Sequence, residues 1–387
     1  MKDEFLGAEL AAKGASDPAR TGTTSPHPAR RDVLALGGAA TIGLATPAIA
    51  QTTPESILWR MATPWPRKMP GFFAAAERLA GSITAMSGGR LKVTAYPAGK
   101  EVAPAKIFNA VSEGTIELAH ASAHLWADKN PAFHYFTGMP FGLTASEHAG
   151  WIYFGGGQAL WEQAYSSYDV LPFLAGNTGP QAGGWFQREI RNPEDFKGLK
   201  FRISGLGADV LRHLGAKPVA LPPSDIFPAM QSGQLDGTEW VGPWNDLVFG
   251  FHKLARYYYL PAFQKIGSAL ELIVNAEAFG ALTSDLRDIV RRAAMAASAE
   301  TCADFTYNNA LALDLIDTRT STIISAFPDN VIRALGEASA QIADDLGATS
   351  RFSRTVHSSY FGYLGKAVPY SGASDLFTLR QRQSVQK

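Results

Sequence analysis

Glu239 sits in DGTEWVGPWND, residues 236–246, directly before Trp240 and close to a second indole, Trp244. Strand-like residues precede it, and Gly242-Pro243 break the chain just after. A carboxylate placed this way is either a rim acid beside core tryptophans or a group that holds something cationic or polar. Arg202 stands in KFRIS between Phe201 and Ile203. Strict alternation turns its side chain away from theirs, onto a solvated sheet face or into a cleft. In a cleft its planar fork would grip a carboxylate bidentately. Gln181 follows Gly179-Pro180 and precedes Ala182-Gly183-Gly184. That backbone lets a ligand approach closely, although a turn glutamine in water fits the same pattern.

Other chemistry is sparse. The chain has no G-x-S-x-G elbow, no phosphate loop and no H-E-x-x-H. GLGADV at 205–210 has the wrong glycine spacing for a dinucleotide fingerprint. His120 and His124 are four apart, but TIELAHAS (115–122) reads as a strand, so the spacing makes no helical metal pair. Cys302 is the only cysteine. It excludes internal disulfides and thiolate metal clusters, and reads as a small hydrophobe.

Positioning these groups requires strands that end near one another. SILWRMA (56–62), RLKVTAYP (90–97) and TIELAHAS read as strands. Helices over 69–89 and 103–113 separate them. A second series runs through VLPFLAGNTG (170–179), GGWFQREI (183–190), LKFRIS (199–204), AKPVAL (216–221) and LDGTEW (235–240), with helices near 206–214 and 224–233. SALELIVN (268–275) is a further strand. Residues 281–327 contain neither Gly nor Pro. They read as a long helix starting near Thr283 or Ser284, followed by a mainly helical C-terminal part. Two α/β units and a long helix, with no single glycine-rich linker, imply a boundary crossed more than once. Such a boundary suits hinged lobes around a cleft.

Composition agrees with a globular protein. Of 387 residues, 46% are hydrophobic and 18% charged, with formal net charge +0, so neither a nucleic-acid surface nor a disordered acidic tail is indicated. Residues 14–29 are small, polar and Pro-containing. Arg30 and Arg31 then precede a modestly apolar Gly/Ala-rich run ending in Ala48-Ile49-Ala50. Charge, apolar run and small-residue cleavage site make an export signal, and the paired arginines favour the twin-arginine route.

The elements GGWFQREI, EDFKGLKFR, LGAKPVALPPSDIFPAMQSGQLDGTEWVGPWND and ELIVN resemble the periplasmic solute-binding proteins of tripartite ATP-independent (TRAP) transporters. The resemblance runs from about residue 56 to 350 and is strongest at 183–246. It implies an α/β, two-lobed periplasmic binding protein fold with hinge-connected domains and a long helix across both. It also implies delivery of a small organic acid to TRAP membrane subunits. By that resemblance Arg202 pairs with the substrate carboxylate. Gln181 with Glu239-Trp240 looks like the branch that binds 2-oxo acids or lactate with a metal ion, where glutamine oxygen, glutamate carboxylate and tryptophan carbonyl ligate the cation. Oxygen ligands suit Na⁺ or Ca²⁺ rather than zinc. In that reading the cation and Arg202 together balance Glu239 and the acid.

Where this branch often carries tyrosines before a tryptophan, HASAHLWADKNPAF places His124 and Leu125 before Trp126. His124 is therefore either a substrate contact or a loop histidine in water. Asn275, closing ELIVN, is a further candidate for the cleft.

The reading is a periplasmic binding protein for a pyruvate- or lactate-like monocarboxylate with a bound cation, without catalysis, compatible with a homodimer. The rival is an exported metal-dependent enzyme using Glu239 as base. Expected segments are a signal and N-terminal extension at 1–50, one lobe from 56–150 plus 241–280, a second from 151–240 plus 281–350, and a helical extension at 351–387. N-terminal sequencing of the exported form should find Gln51 first. An intact Arg30–Ala50 segment in a membrane fraction would overturn this.

Overall fold

The computed structural model describes residues 56–386, so the expected export signal and cleavage site lie outside the described residues. Among the described residues, eleven strands form two sheets. The first contains β1 (Ile57–Ala62), β2 (Leu91–Tyr96), β3 (Leu118–Ala121), β4 (Val170–Asn177) and β10 (Ala269–Asn275), in the order β2-β1-β3-β10-β4. β1 runs parallel to β2 and β3, whereas β10 is antiparallel to both β3 and β4. The second contains β5 (Gly184–Phe186), β6 (Lys200–Arg202), β7 (Lys217–Val219), β8 (Gly237–Thr238), β9 (Tyr257–Tyr259) and β11 (Ile323–Ser325), in the order β11-β9-β5-β8-β6-β7.

Every strand expected from sequence is present, most of them shorter at their ends. Lobe membership differs from the expected segments. β4 falls within 151–240 yet pairs with β10 in the first sheet, and β9 falls within 241–280 yet pairs with β5 and β11 in the second. Alternation of strands and helices sets the local elements. It does not say which sheet a strand joins, because pairing is decided by partners distant in sequence.

The chain crosses between the sheets at residues 178–183, again at 260–268, and a third time along the helix Ser284–Arg319. The first two crossings run side by side. Gln181 N–H donates to the Lys265 carbonyl at 3.3 Å, and Ala262 N–H donates to the Gln181 carbonyl at 2.8 Å. The helix has 36 residues and is about 54 Å long. Leu286, Val290, Ala293 and Ala297 on its first half pack on the first sheet. Phe305, Ala312 and Ile316 on its second half join the core that holds Trp185, Trp244 and Tyr258. One apolar stripe therefore ties both lobes to a single rod.

C-terminal to this, the helix Arg351–Ser371 buries Val356 and Tyr360 against Tyr135 and Trp151 of the first lobe. None of the described helices is long and apolar enough to cross a membrane.

His120 on β3 is fully buried and does structural work. Trp65 Nε1 donates to its Nδ1 at 3.1 Å, which needs the neutral ring. Burial pushes His120 down to about 4. A histidine depressed on folding contributes stability that is present above its unfolded pKa, near 6.5, and lost as pH falls through the folded value. His120→Asn keeps an acceptor near the Nδ1 position without the titration. Between about pH 7.5 and pH 5, wild type should lose about 2 kcal/mol more than this variant in urea unfolding. Equal losses would show that His120 does not carry this linkage.

Candidate functional site

β6 and β8 are adjacent and parallel, with Arg202 opposite Thr238. Their carboxyl ends deliver Arg202 and Glu239 to one point, where an open α/β sheet places its ligands. Phe201 and Ile203 enter the core of the second lobe, so alternation turns Arg202 the other way, into the space between the lobes rather than onto a solvated face. Arg202 Nη1 donates to the Glu239 carbonyl at 2.9 Å and lies 3.5 Å from Glu239 Oε2. The guanidinium stacks over Trp240, 5.0 Å from the ring centroid. With Nη1 tied down, Nε is buried without a partner and the Nε–Nη2 edge stays available. That edge is the side-on face that takes a carboxylate bidentately.

The turn after Glu239 is fixed from beneath. Asp246 Oδ1 accepts from Val241 N–H at 3.1 Å, while Oδ2 accepts from Trp185 Nε1 at 3.0 Å and the Tyr258 hydroxyl at 2.9 Å. Trp244 N–H donates to Asn309 of the long helix at 3.0 Å, and Trp244 packs against Phe305. Trp244 is core. Trp240 is the indole that faces the cavity.

Gln181, on the first crossing, is buried rather than turned to water. Its Nε2 donates to Thr178 Oγ1 at 3.2 Å, which leaves Oε1 without a donor, as is Glu239 Oε1. The Trp240 carbonyl accepts no hydrogen bond among the described residues. Gly184 serves a purpose other than ligand approach. A Cβ on Gly184, at φ 124°, would meet the Phe201 ring at 2.7 Å and the Thr238 carbonyl at 2.8 Å, so this residue lets β5 and β8 close together.

These side chains line one cavity of about 170 Å³, together with Trp65, Ser122, His124 and Leu270 of the first lobe and Lys265 on the second crossing. It is smaller than the roughly 300–1,000 Å³ typical of drug-sized pockets. His124 follows β3 in the short helix Ala123–Trp126, and its Nδ1 lies 3.0 Å from Ser122 Oγ. It is no partner of His120, which is buried behind it in the core.

Asn275 is not in this cavity. β10 is antiparallel to β3, so its first residues, Ala269 and Leu270, lie at the cleft and its last lies at the far edge. There Asn275 Oδ1 caps a helix by accepting from Ala278 N–H at 3.0 Å, and Nδ2 donates to the Val111 carbonyl.

Lys265 is the charged residue that sequence reasoning missed. It stands alone in the apolar, proline-interrupted LPAFQKIGS between two strands, and that isolation is the one signal it gave. Its charge revises the balance expected above: Arg202 and Lys265 together already match Glu239 and a monocarboxylate. Burial raises the Glu239 pKa, while Lys265 first, then Arg202 and then the nearby Gln264 amide pull it back. Burial lowers Arg202 and Lys265, and Glu239 opposes both shifts.

Among the described residues no group of three or more His, Cys, Asp or Glu is placed to hold a metal ion, which excludes a zinc-type cluster there. The unpartnered oxygens of Gln181 and Glu239 are a different donor set. Hard, oxygen-only and singly charged, they fit Na⁺ or Ca²⁺.

Two α/β lobes, crossed three times by the chain and set around a small cavity that gathers charged groups among apolar walls, define a solute-binding protein. The chain belongs to the bacterial extracellular solute-binding protein family 7 (DctP), whose profile matches residues 61–349. A monocarboxylate 2-oxoacid-binding periplasmic protein of Nostoc is 38% identical over 276 residues, covering 70% of this chain and 76% of that one. Among solved structures, a TRAP periplasmic solute-binding protein from Pseudoalteromonas atlantica with bound sodium and pyruvate is 34% identical, with a TM-score of 0.80, covering 84% of this chain and 99% of that one. A TRAP transporter solute-binding protein from Bordetella bronchiseptica is a mixed-occupancy dimer with copurified calcium and picolinate. It is 31% identical, with a TM-score of 0.81, covering 86% of this chain and 99% of that one.

Arg202→Ala should weaken carboxylate binding by roughly 2–5 kcal/mol while leaving the fold intact. Arg202→Lys should also fail, because a point ammonium cannot offer the Nε–Nη2 edge. Calorimetric affinity within a factor of about three of wild type would remove Arg202 from the site.

Proposed function

We propose that this chain, once exported to the periplasm, binds a small 2-oxo or 2-hydroxy monocarboxylate together with Na⁺ or Ca²⁺ and presents it to TRAP membrane subunits. The role is capture and release, without bond-making chemistry. The observation that carries the proposal is the meeting, in one small cavity, of a free guanidinium edge on Arg202 with two buried, unpartnered oxygens on Gln181 and Glu239. The Nostoc relative named for monocarboxylate 2-oxoacid binding and the Pseudoalteromonas structure with bound sodium and pyruvate support the same reading.

In this arrangement the substrate carboxylate lies against Nε and Nη2 of Arg202. Gln181 Oε1, the Glu239 carboxylate and the Trp240 carbonyl hold the cation. When bound, the cation supplies a positive centre that orients the acid's 2-oxygen. Trp240 and Trp65 keep water from the paired charges, which strengthens each contact. Lys265 adds positive charge from the second crossing segment. It thereby lowers the electrostatic need for a divalent ion and leaves the unpartnered oxygens as the main reason for a cation to bind.

Removing the cation should weaken the acid, and removing the acid should weaken the cation by the same factor, since coupling between two sites is reciprocal. The measurement is calorimetry with pyruvate and lactate in metal-stripped buffer containing a bulky organic cation, followed by titration with Na⁺ and then Ca²⁺. Glu239→Gln should lower cation affinity more for Ca²⁺ than for Na⁺ while preserving the shape of the site. Acid affinity that stays constant throughout, with no copurifying ion, would overturn the cation site while leaving the carboxylate reading in place.

A further inference from the structure

We propose that the cavity selects an acid bearing a hydroxyl on carbon 2 over the corresponding 2-oxo acid, because His124 offers it a hydrogen-bond acceptor and not a donor. The inference rests on the carboxylate reading above and narrows it.

The argument follows one proton. Ser122 Oγ lies 2.9 Å from the Ala269 carbonyl oxygen and 3.0 Å from His124 Nδ1. A hydroxyl has a single proton to donate. Directed at Nδ1, it would leave Oγ and the carbonyl facing each other at 2.9 Å with lone pairs only. The Ser122 proton therefore goes to Ala269, and the Ser122–His124 contact must be an Nδ1–H donating to Oγ. Thr137 holds the segment in place, its Oγ1 accepting from His124 N–H at 2.8 Å.

The ring is neutral. Burial disfavours its protonation, and the nearby charges of Lys265, His134 and Arg202 act in the same direction. A neutral imidazole with its proton on Nδ1 carries a lone pair on Nε2. His124 lines the cavity, and its Nε2 makes no hydrogen bond among the described residues.

That lone pair is open to a donor on a ligand. A carboxylate and a ketone oxygen accept only, so a 2-oxo acid has no proton to give. Among the described residues no protein donor hydrogen-bonds it. Arg202 Nε and Trp240 Nε1 are unpartnered donors, and Lys265 makes no hydrogen bond to His124 among the described residues. The other free acceptors, Gln181 Oε1 and Glu239 Oε1, are those already assigned to the cation. A 2-hydroxyl can turn its proton toward Nε2 while its oxygen keeps a lone pair for the cation. A site that hydrogen-bonds a hydroxyl discriminates strongly against the analogue lacking it, because its own polar atom is then left unpaired.

The test compares L-lactate, D-lactate and pyruvate by calorimetry on the mature protein under one cation condition. One lactate enantiomer should bind at least about tenfold more tightly than pyruvate. Ser122→Ala removes the acceptor that pins the tautomer, so the ring can then donate from Nε2, and the lactate-to-pyruvate preference should shrink to within about threefold. His124→Gln, whose amide can present either atom, should shrink it likewise. The ¹⁵N shifts of the His124 ring report the tautomer directly, with the proton expected on Nδ1. Pyruvate binding as tightly as either lactate, a ratio unchanged in both variants, or a proton on Nε2 would each overturn the inference while leaving the carboxylate reading standing. Binding of neither acid to folded wild-type protein would overturn that reading and the inference with it.

Discussion

Three charges, Arg202, Glu239 and Lys265, meet in the space between two lobes where water is scarce. For each of them burial is the largest influence on protonation, ahead of attraction to the others. Taking an ion out of water costs several kcal/mol even after relaxation, so such a cluster persists only where dipoles and opposite charges are fixed around it. The surrounding structure meets that demand. Parallel β6 and β8 bring Arg202 and Glu239 to the same level. Asp246, itself held by Trp185, Tyr258 and Val241, fixes the turn carrying Glu239 and Trp240. The long helix, through Asn309, holds the segment that follows.

The same cluster sits at the crossing of the chain. Gln181 and Lys265 belong to the two segments that pass between lobes, and their backbones are hydrogen-bonded to each other. A ligand touching both side chains contacts the pivot as well as the two walls. Free energy from ligand contacts is thereby coupled to the relative position of the lobes, the requirement for closing around a solute. Rigidity comes from elsewhere, in the apolar stripe of the helix Ser284–Arg319, which is continuous with both cores.

Within the cavity, polarity divides into two kinds of duty. Arg202, Lys265 and Trp240 offer donors, whereas Gln181, Glu239 and His124 offer acceptors. In the proposed reading a small acid with its cation would use both kinds, and the balance between them would set the oxidation level of carbon 2 that fits. Ser122 has no charge and a small side chain, yet it fixes the sense of the His124 contact because its single proton is already committed to the Ala269 carbonyl.

The amino-acid pattern by itself determined the elements. Alternation marked the strands, the Gly- and Pro-free stretch after residue 281 marked the long helix, and the order of unusual residues around 183–246 marked the family. Local features singled out Arg202, Gln181 and Glu239-Trp240 one by one as candidates, and it was the resemblance to the family that grouped them into one expected site. Only tertiary structure decided the rest. Which sheet β4 and β9 join depends on partners far along the chain. The direction of β10, which follows from its neighbours, sent Asn275 to the far edge and brought Leu270 to the cleft. Lys265 carries no local motif and becomes part of the site because the second crossing lies against the first. The hydrogen-bonding role of His124 depends on Ser122, two residues away, and on Ala269, more than a hundred residues further along the chain. A contact of that kind exists only once β3 and β10 are paired.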